Sequence, residues 1–195
     1  MTPVEQVGML VVNTFISLYL LVVILRFLLQ VVRADFYNPI SQFIVKATNP
    51  LLVPMRKVIP GFGGIDVASL VLAILVQALG ISLIMMINGA LPVPQVLLWS
   101  VINIIAFVLN IYFFGLLISI FASWVAPGSY NPALILINQI LEPVTRPVRK
   151  MMPDMGGLDI SPIIIIMLIQ VMSIMHTAIA QSSKMPAIFY VGVGF

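Results

Sequence analysis

The chain contains no cysteine, which excludes disulfides, thiolate metal centres and cysteine nucleophiles. Charge is almost as scarce. Nine Lys and Arg, six Asp and Glu and one His are spread over 195 residues, so that 8% are charged and 62% hydrophobic, with a mean hydropathy of +1.19. Soluble domains carry roughly a quarter charged residues, and a chain this poor in charge belongs in a bilayer. A net charge of +3 would point a soluble protein toward nucleic acid. Here no direct nucleic-acid binding is expected, and the placement of the charges matters more than their sum.

A transmembrane helix needs about 20 mostly apolar residues, and four runs satisfy this: about 9–32, 67–87, 96–121 and 160–180. Two sizeable connections remain, 33–66 and 122–159, while "NGALPVP" between the second and third runs is a tight turn that joins antiparallel helices. A signal peptide would open with a basic stretch, yet Glu5 is the only charged side chain before Arg26, so the first span is expected to be retained. Basic residues gather in the two long connections: Arg33, Lys46, Arg56 and Lys57 in one, Arg146, Arg149 and Lys150 in the other. The positive-inside rule therefore expects both connections to be cytoplasmic and both termini outside.

A shift of 93 residues superposes Tyr37-Asn38-Pro39 on Tyr130-Asn131-Pro132, Pro54 on Pro147, Arg56-Lys57 on Arg149-Lys150, Gly63-Gly64 on Gly156-Gly157, Asp66 on Asp159 and Gln77 on Gln170. The chain is a tandem duplication. Repeat one covers 9–88, repeat two 96–180, and 181–195 forms a short C-terminal tail. Each repeat has two spans, an even number, so the repeats are parallel, unlike the inverted repeats of many alternating-access transporters. The expected fold is an all-α membrane protein of four transmembrane helices in two parallel two-helix repeats, with short interfacial helices after spans one and three.

Within a repeat, Asn38-Pro39 and Asn131-Pro132 read as an N-cap followed by proline at the first helical position. Ile40, Phe43, Ile44 and Ala47 then recur at helical spacing, which predicts a helix of two to three turns lying in the interface with that face apolar. Asn49-Pro50 and Glu142-Pro143 suggest a second start, and Pro54 and Pro147 a bend or stop one turn later. Arg56-Lys57 and Arg149-Lys150 would occupy the last turn, where cations suit the helix dipole and reach lipid phosphates. Gly63-Gly64 and Gly156-Gly157 permit a sharp reversal, and Asp66 and Asp159 are placed to cap the spans that follow.

The stretch "RADFYNPISQFIVKATNPLLVPMRKVIPGFGGID" and its second copy "YNPALILINQILEPVTRPVRKMMPDMGGLDISP" resemble the YggT family of bacterial integral membrane proteins, which has plastid relatives. The second copy has Ala126 in place of Arg33 and Pro-Gly-Ser in place of Ala-Asp-Phe. The resemblance implies a multi-pass protein of the bacterial inner membrane, where the outward termini expected from the positive-inside rule would be periplasmic. It also implies links to osmotic or potassium homeostasis and cell division, and in plastids to nucleoid distribution and haem attachment in a cytochrome complex. It implies no reaction.

Other polar residues have plain readings beside sharper ones. His176 in span four is expected to pack or face water, since metals need several ligands; a second copy in a homodimer is the alternative. Arg26 is expected to snorkel toward headgroups, with an intramembrane partner as the alternative. Asn13, Gln30, Gln77, Asn103, Asn110 and Gln170 are expected to bridge neighbouring helices, with a lined pore as the weaker reading for Gln77 and Gln170. Asp66 and Asp159 are expected to cap and to pair with the nearby cations rather than act as acid and base. No serine is accompanied by a base at a useful spacing. These readings expect a protein that is not an enzyme and holds no metal or cofactor. Its partners would be anionic headgroups, bound by Arg56, Lys57, Arg149 and Lys150, and membrane proteins in assembly, division or envelope homeostasis, with homo-oligomerisation left open. A small channel or transporter is the alternative.

Overall fold

The computed structural model describes residues 2–126, 128–152 and 160–193. Among them are six α-helices: α1 (Pro3–Val31), α2 (Pro39–Val58), α3 (Val67–Ile87), α4 (Val96–Val125), α5 (Pro132–Met151) and α6 (Ser161–Ser182), followed by a single 3₁₀ turn, Ala187–Phe189. Helices α1, α3, α4 and α6 are long and apolar enough to cross a membrane. The chain is a multi-pass membrane protein.

Helix α1 starts earlier than its apolar run, because Thr2 and Glu5 form a capping box: the Thr2 hydroxyl accepts from Glu5 N–H and the Glu5 carboxylate from Thr2 N–H at 2.8 Å. Three of the spans end alike. Arg33, Gly89 and Lys184 adopt positive φ, and the N–H of the next residue returns to a carbonyl five back, Ala34 to Leu29, Ala90 to Met85 and Met185 to Ala180. This is the Schellman closure of a helix C-terminus. Glycine occupies one of the three positions, while Arg33 and Lys184 bear the cost of a side chain there.

The two connecting helices differ from expectation. Each is one continuous helix of 20 residues through both prolines, where the sequence suggests short, broken pieces. Pro50 and Pro54, like Pro143 and Pro147, lie four apart on one exposed face. The carbonyls they leave without donors therefore open toward the headgroup region, where water can satisfy them. The buried face also differs. Helix α2 buries Ser41, Ile44, Thr48 and Leu52 and exposes Ile40 and Phe43, because in a bilayer the small residues go where helices approach closely while large apolar ones can face lipid. Thr48 donates to the Ile44 carbonyl at 2.8 Å.

Helix α1 packs on α3, α3 on α4, and α4 on α6; α2 lies across α1 and α3, and α5 across α4 and α6 with further contact to α1 and α2. Gly80 makes the α1–α3 approach possible, since a Cβ there would stand 2.7 Å from Ile16 Cγ2. The repeats meet along α3 and α4 and again where α2 and α5 begin. Asn38 caps α2 through Ile40 N–H at 2.9 Å and donates to the Pro132 carbonyl at 2.9 Å. Asn131 caps α5 through Ala133 N–H, also at 2.9 Å.

Candidate functional site

At the basic end of the bundle, Phe62 and Ile65 exchange backbone hydrogen bonds of 3.1 and 2.9 Å across Gly63-Gly64, whose φ values are +59° and +81°. This is the geometry of a two-residue hairpin turn with both central residues left-handed, and it delivers Asp66 to the start of α3. Asp66 occupies the N-cap position, but its side chain caps no backbone donor. Instead it takes an ion pair from Arg56, with Arg56 Nε at 3.3 Å, and a hydrogen bond from the Ser69 hydroxyl. Burial pushes the Asp66 carboxyl up, while the Arg56 and Ser69 hydrogen bonds and the Arg56 charge outweigh it and hold the group below its ordinary value. The Arg56 side chain is 34% exposed and Asp66 4%, so the carboxylate is the member that depends on the pair.

Arg26 does not snorkel. It is 8% exposed, its guanidinium lies over the Phe36 ring at 5.3 Å from the centroid, and Nε and Nη1 meet no protein acceptor. Arg56 and Asp66 both lie within electrostatic reach, so two cations and one anion share the junction of α1, α2 and α3, with Arg26 and Asp66 buried and Arg56 reaching its edge. Lys46, Lys57, Arg146, Arg149 and Lys150 are exposed. Gly156, Gly157 and Asp159 of the second repeat lie outside the described residues; Pro147 is on the exposed face of α5. Tyr37, Tyr130 and Trp124 are exposed near helix ends, where an aromatic belt would sit.

At the opposite end, a cavity of about 470 Å³ lies between α1, α3 and α4, with Asn13, Ser17, Gln77 and Asn110 among its polar walls. Next to it, sharing Phe107 and Asn110, an apolar crevice of about 660 Å³ is lined by Leu21, Ile111, Phe114, Ile118 and Ile137. The residues after α6 do not leave the membrane as a plain tail. They return along α4, where Trp99 Nε1 donates to the Ser183 carbonyl at 3.2 Å, Asn103 Nδ2 to Phe189 at 2.9 Å and Asn110 Nδ2 to Gly192 at 2.7 Å. Trp99 stacks on Phe189, centroids 6.0 Å apart. Asn103 and Asn110 therefore both donate to this segment, and Asn13 accepts from Ser17 of its own helix. Periodicity could not reveal the segment, since an extended strap has none; the amides on one face of α4 were the available signal.

His176 is buried and its Nε2 lies 3.1 Å from the Ile102 carbonyl, holding α6 to α4. Among the described residues no group of three or more His, Asp or Glu side chains could hold a metal ion.

A duplicated pair of spans, each pair linked by an amphipathic surface helix, with most of the basic residues at one end, defines a small multi-pass membrane protein. The CCB3/YggT family model matches residues 6–87 and 98–180, one match per repeat, and the chain belongs to that family. It is 54% identical over 166 residues to an uncharacterised protein of Pseudomonas aeruginosa, covering 84% of each chain. It is 39% identical over 157 residues to an uncharacterised protein of Vibrio alginolyticus named for the proC 3′ region, covering 79% of this chain and 84% of that one. With the uncharacterised protein YggT of Escherichia coli K12 it shares 34% identity over 171 residues, covering 88% and 89%. No solved structure matches.

Proposed function

We propose that this protein is a non-enzymatic scaffold of the bacterial inner membrane, with its basic end cytoplasmic and both termini periplasmic. There it binds anionic headgroups and holds partner membrane proteins in division, envelope or osmotic homeostasis. The observation that carries the reading is the pair of 20-residue surface helices, α2 and α5, joined at their starts by Asn38 and ending in Arg56-Lys57 and Arg149-Lys150. Two helices at one membrane face give a cationic platform, and each basic residue near an anionic surface adds about 1 kcal/mol. Arg56 is engaged by buried Asp66 and has a structural duty; Lys57 and Lys150 are exposed and are the better probes. A transport role has the polar cavity in its favour, but its polar lining gives way beyond Phe107 to an apolar crevice.

The test is a Lys57→Gln, Lys150→Gln double variant in mixed nanodiscs, read by phosphatidylglycerol enrichment around the protein and by co-purifying membrane proteins. Removing two such charges should weaken the lipid preference by about 2 kcal/mol, roughly thirtyfold. Unchanged enrichment together with an unchanged set of partners rejects the proposal.

A further inference from the structure

We propose that the cavity between α1, α3 and α4 is a water-filled binding site for a small uncharged hydrogen-bonding solute, closed on one side by the segment that follows α6. Gln77 is the first ground. It is 9% exposed, lines the cavity, and its carboxamide meets no protein partner. Its polar atoms are not sealed off but open onto the cavity, and an amide at membrane depth left without a hydrogen bond costs a few kcal/mol, so a polar occupant that bonds to it is favoured over an apolar one.

The returning segment is the second ground. Its Gly192 carbonyl is bonded to Asn110, the midpoint of the 30-residue helix α4, so this non-helical backbone lies at membrane depth. The Val191 N–H donates to no protein acceptor. Irregular backbone at that depth is tolerated only where protein covers it or where it lines a wet cavity, and Ile188, Phe189, Tyr190 and Val191 line this one. An amide on a helix and a backbone N–H on the segment thus call for water or solute in the same space.

The lining also sets the class of occupant. It contains amides, the Ser17 and Tyr190 hydroxyls, aromatic rings and aliphatic side chains, and no Asp, Glu, Lys, Arg or His. An ion there would lie in the bilayer without a compensating charge, whereas an uncharged polyol or amide would find donors and acceptors at Asn13, Ser17 and Gln77. A volume of about 470 Å³ holds about fifteen waters at ~30 Å³ each and falls within the ~300–1,000 Å³ span of ligand pockets. The site ends where Phe107 and the apolar crevice begin, so it binds without providing a continuous path. Three side-chain hydrogen bonds and the Trp99–Phe189 stack hold the closing segment, and loosening them would open the site while leaving the spans packed.

The chain has no cysteine, so a Ser17→Cys variant carries one thiol, placed in the cavity wall. In nanodiscs its modification by a charged, water-soluble thiosulfonate is compared with that of Leu18→Cys, whose neighbouring position faces away from the cavity and is exposed. Ser17→Cys should react at least tenfold faster than Leu18→Cys, glycerol or urea should slow it at least threefold with saturation, and adding Asn103→Ala should speed it severalfold. An unreactive Ser17→Cys beside a reactive Tyr37→Cys control means a dry cavity and overturns the site. Reaction that neither glycerol nor urea slows means water alone and overturns the solute. The outcome is separate from lipid binding at Lys57 and Lys150, which lie at the other end of the bundle.

Discussion

The two repeats share a plan and differ in what lies at the crossing of their first span with their surface helix. In repeat one, Arg26 is buried beside the Arg56–Asp66 pair. The position 93 residues on is Ser119, whose hydroxyl donates to Asn138 Oδ1 at 2.9 Å. At this one position repeat one holds a buried cation and repeat two a neutral hydrogen bond. The crossing of span and surface helix is packed in both copies, with different chemistry at its centre.

The largest break in this comparison should come from Asp66→Ala. It strips the counter-charge from Arg56 and from buried Arg26; a fully buried pair broken this way costs about 3–5 kcal/mol, and because Arg56 is 34% exposed screening lowers the cost to about 2–3 kcal/mol. Ser119→Ala should cost about 1 kcal/mol, the worth of one hydrogen bond. Thermal unfolding in micelles, followed by circular dichroism, measures both. The same pair predicts a pH response. Because the folded carboxyl lies below its ordinary value, its stabilisation is fully present above the unfolded value, about 3.9, and is lost as pH falls through the folded one. An acid titration of stability should show that loss in the parent and lack it in Asp66→Ala.

A smaller effect should separate the span interfaces. Gly80→Ala pushes a Cβ into Ile16, a branched side chain with little freedom in a helix, and should cost about 1–3 kcal/mol. Its counterpart Ser173→Ala should stay within about 0.5 kcal/mol. If the two melt alike, the close α1–α3 approach is wrong. The smallest and opposite effect belongs to the ends of the first spans. Arg33 closes α1 at φ +52°, so Arg33→Gly should gain about 1 kcal/mol. Ala126 closes α4 at φ −141°, and Ala126→Gly should lose up to about 1 kcal/mol.

Hydropathy made the four spans legible, and a fixed offset made the duplication legible, because both are properties of long segments. The surface helices were half legible. Asn38 and Asn131 announced their starts, but two prolines a turn apart imply a break unless the missing donors fall on a solvated side, which depends on where the bilayer surface is. Arg26 departs from its expected course for a related reason. Five residues from a helix end it has the reach to snorkel, but its guanidinium lies over Phe36 with the Asp66 charge within reach, neighbours that periodicity does not reveal. The strap along α4 leaves no periodic trace; its one sign in the sequence is the pair Asn103 and Asn110, two amides on one face of a span that donate to it.

The spans of each repeat are unequal: 29 and 21 residues in the first, 30 and 22 in the second. At 1.5 Å per residue the shorter ones measure about 32 Å, a fair match to a hydrocarbon core of about 30 Å, while the longer ones exceed it by about 14 Å. Each repeat therefore carries its own gauge. The short helix fixes the bilayer thickness at which the protein sits without strain, and the long one extends into the headgroups or tilts when that thickness changes. A membrane stretched thin or thickened by its lipids would alter the relation between the two helices in both repeats at once, and in the same sense, because the repeats are parallel.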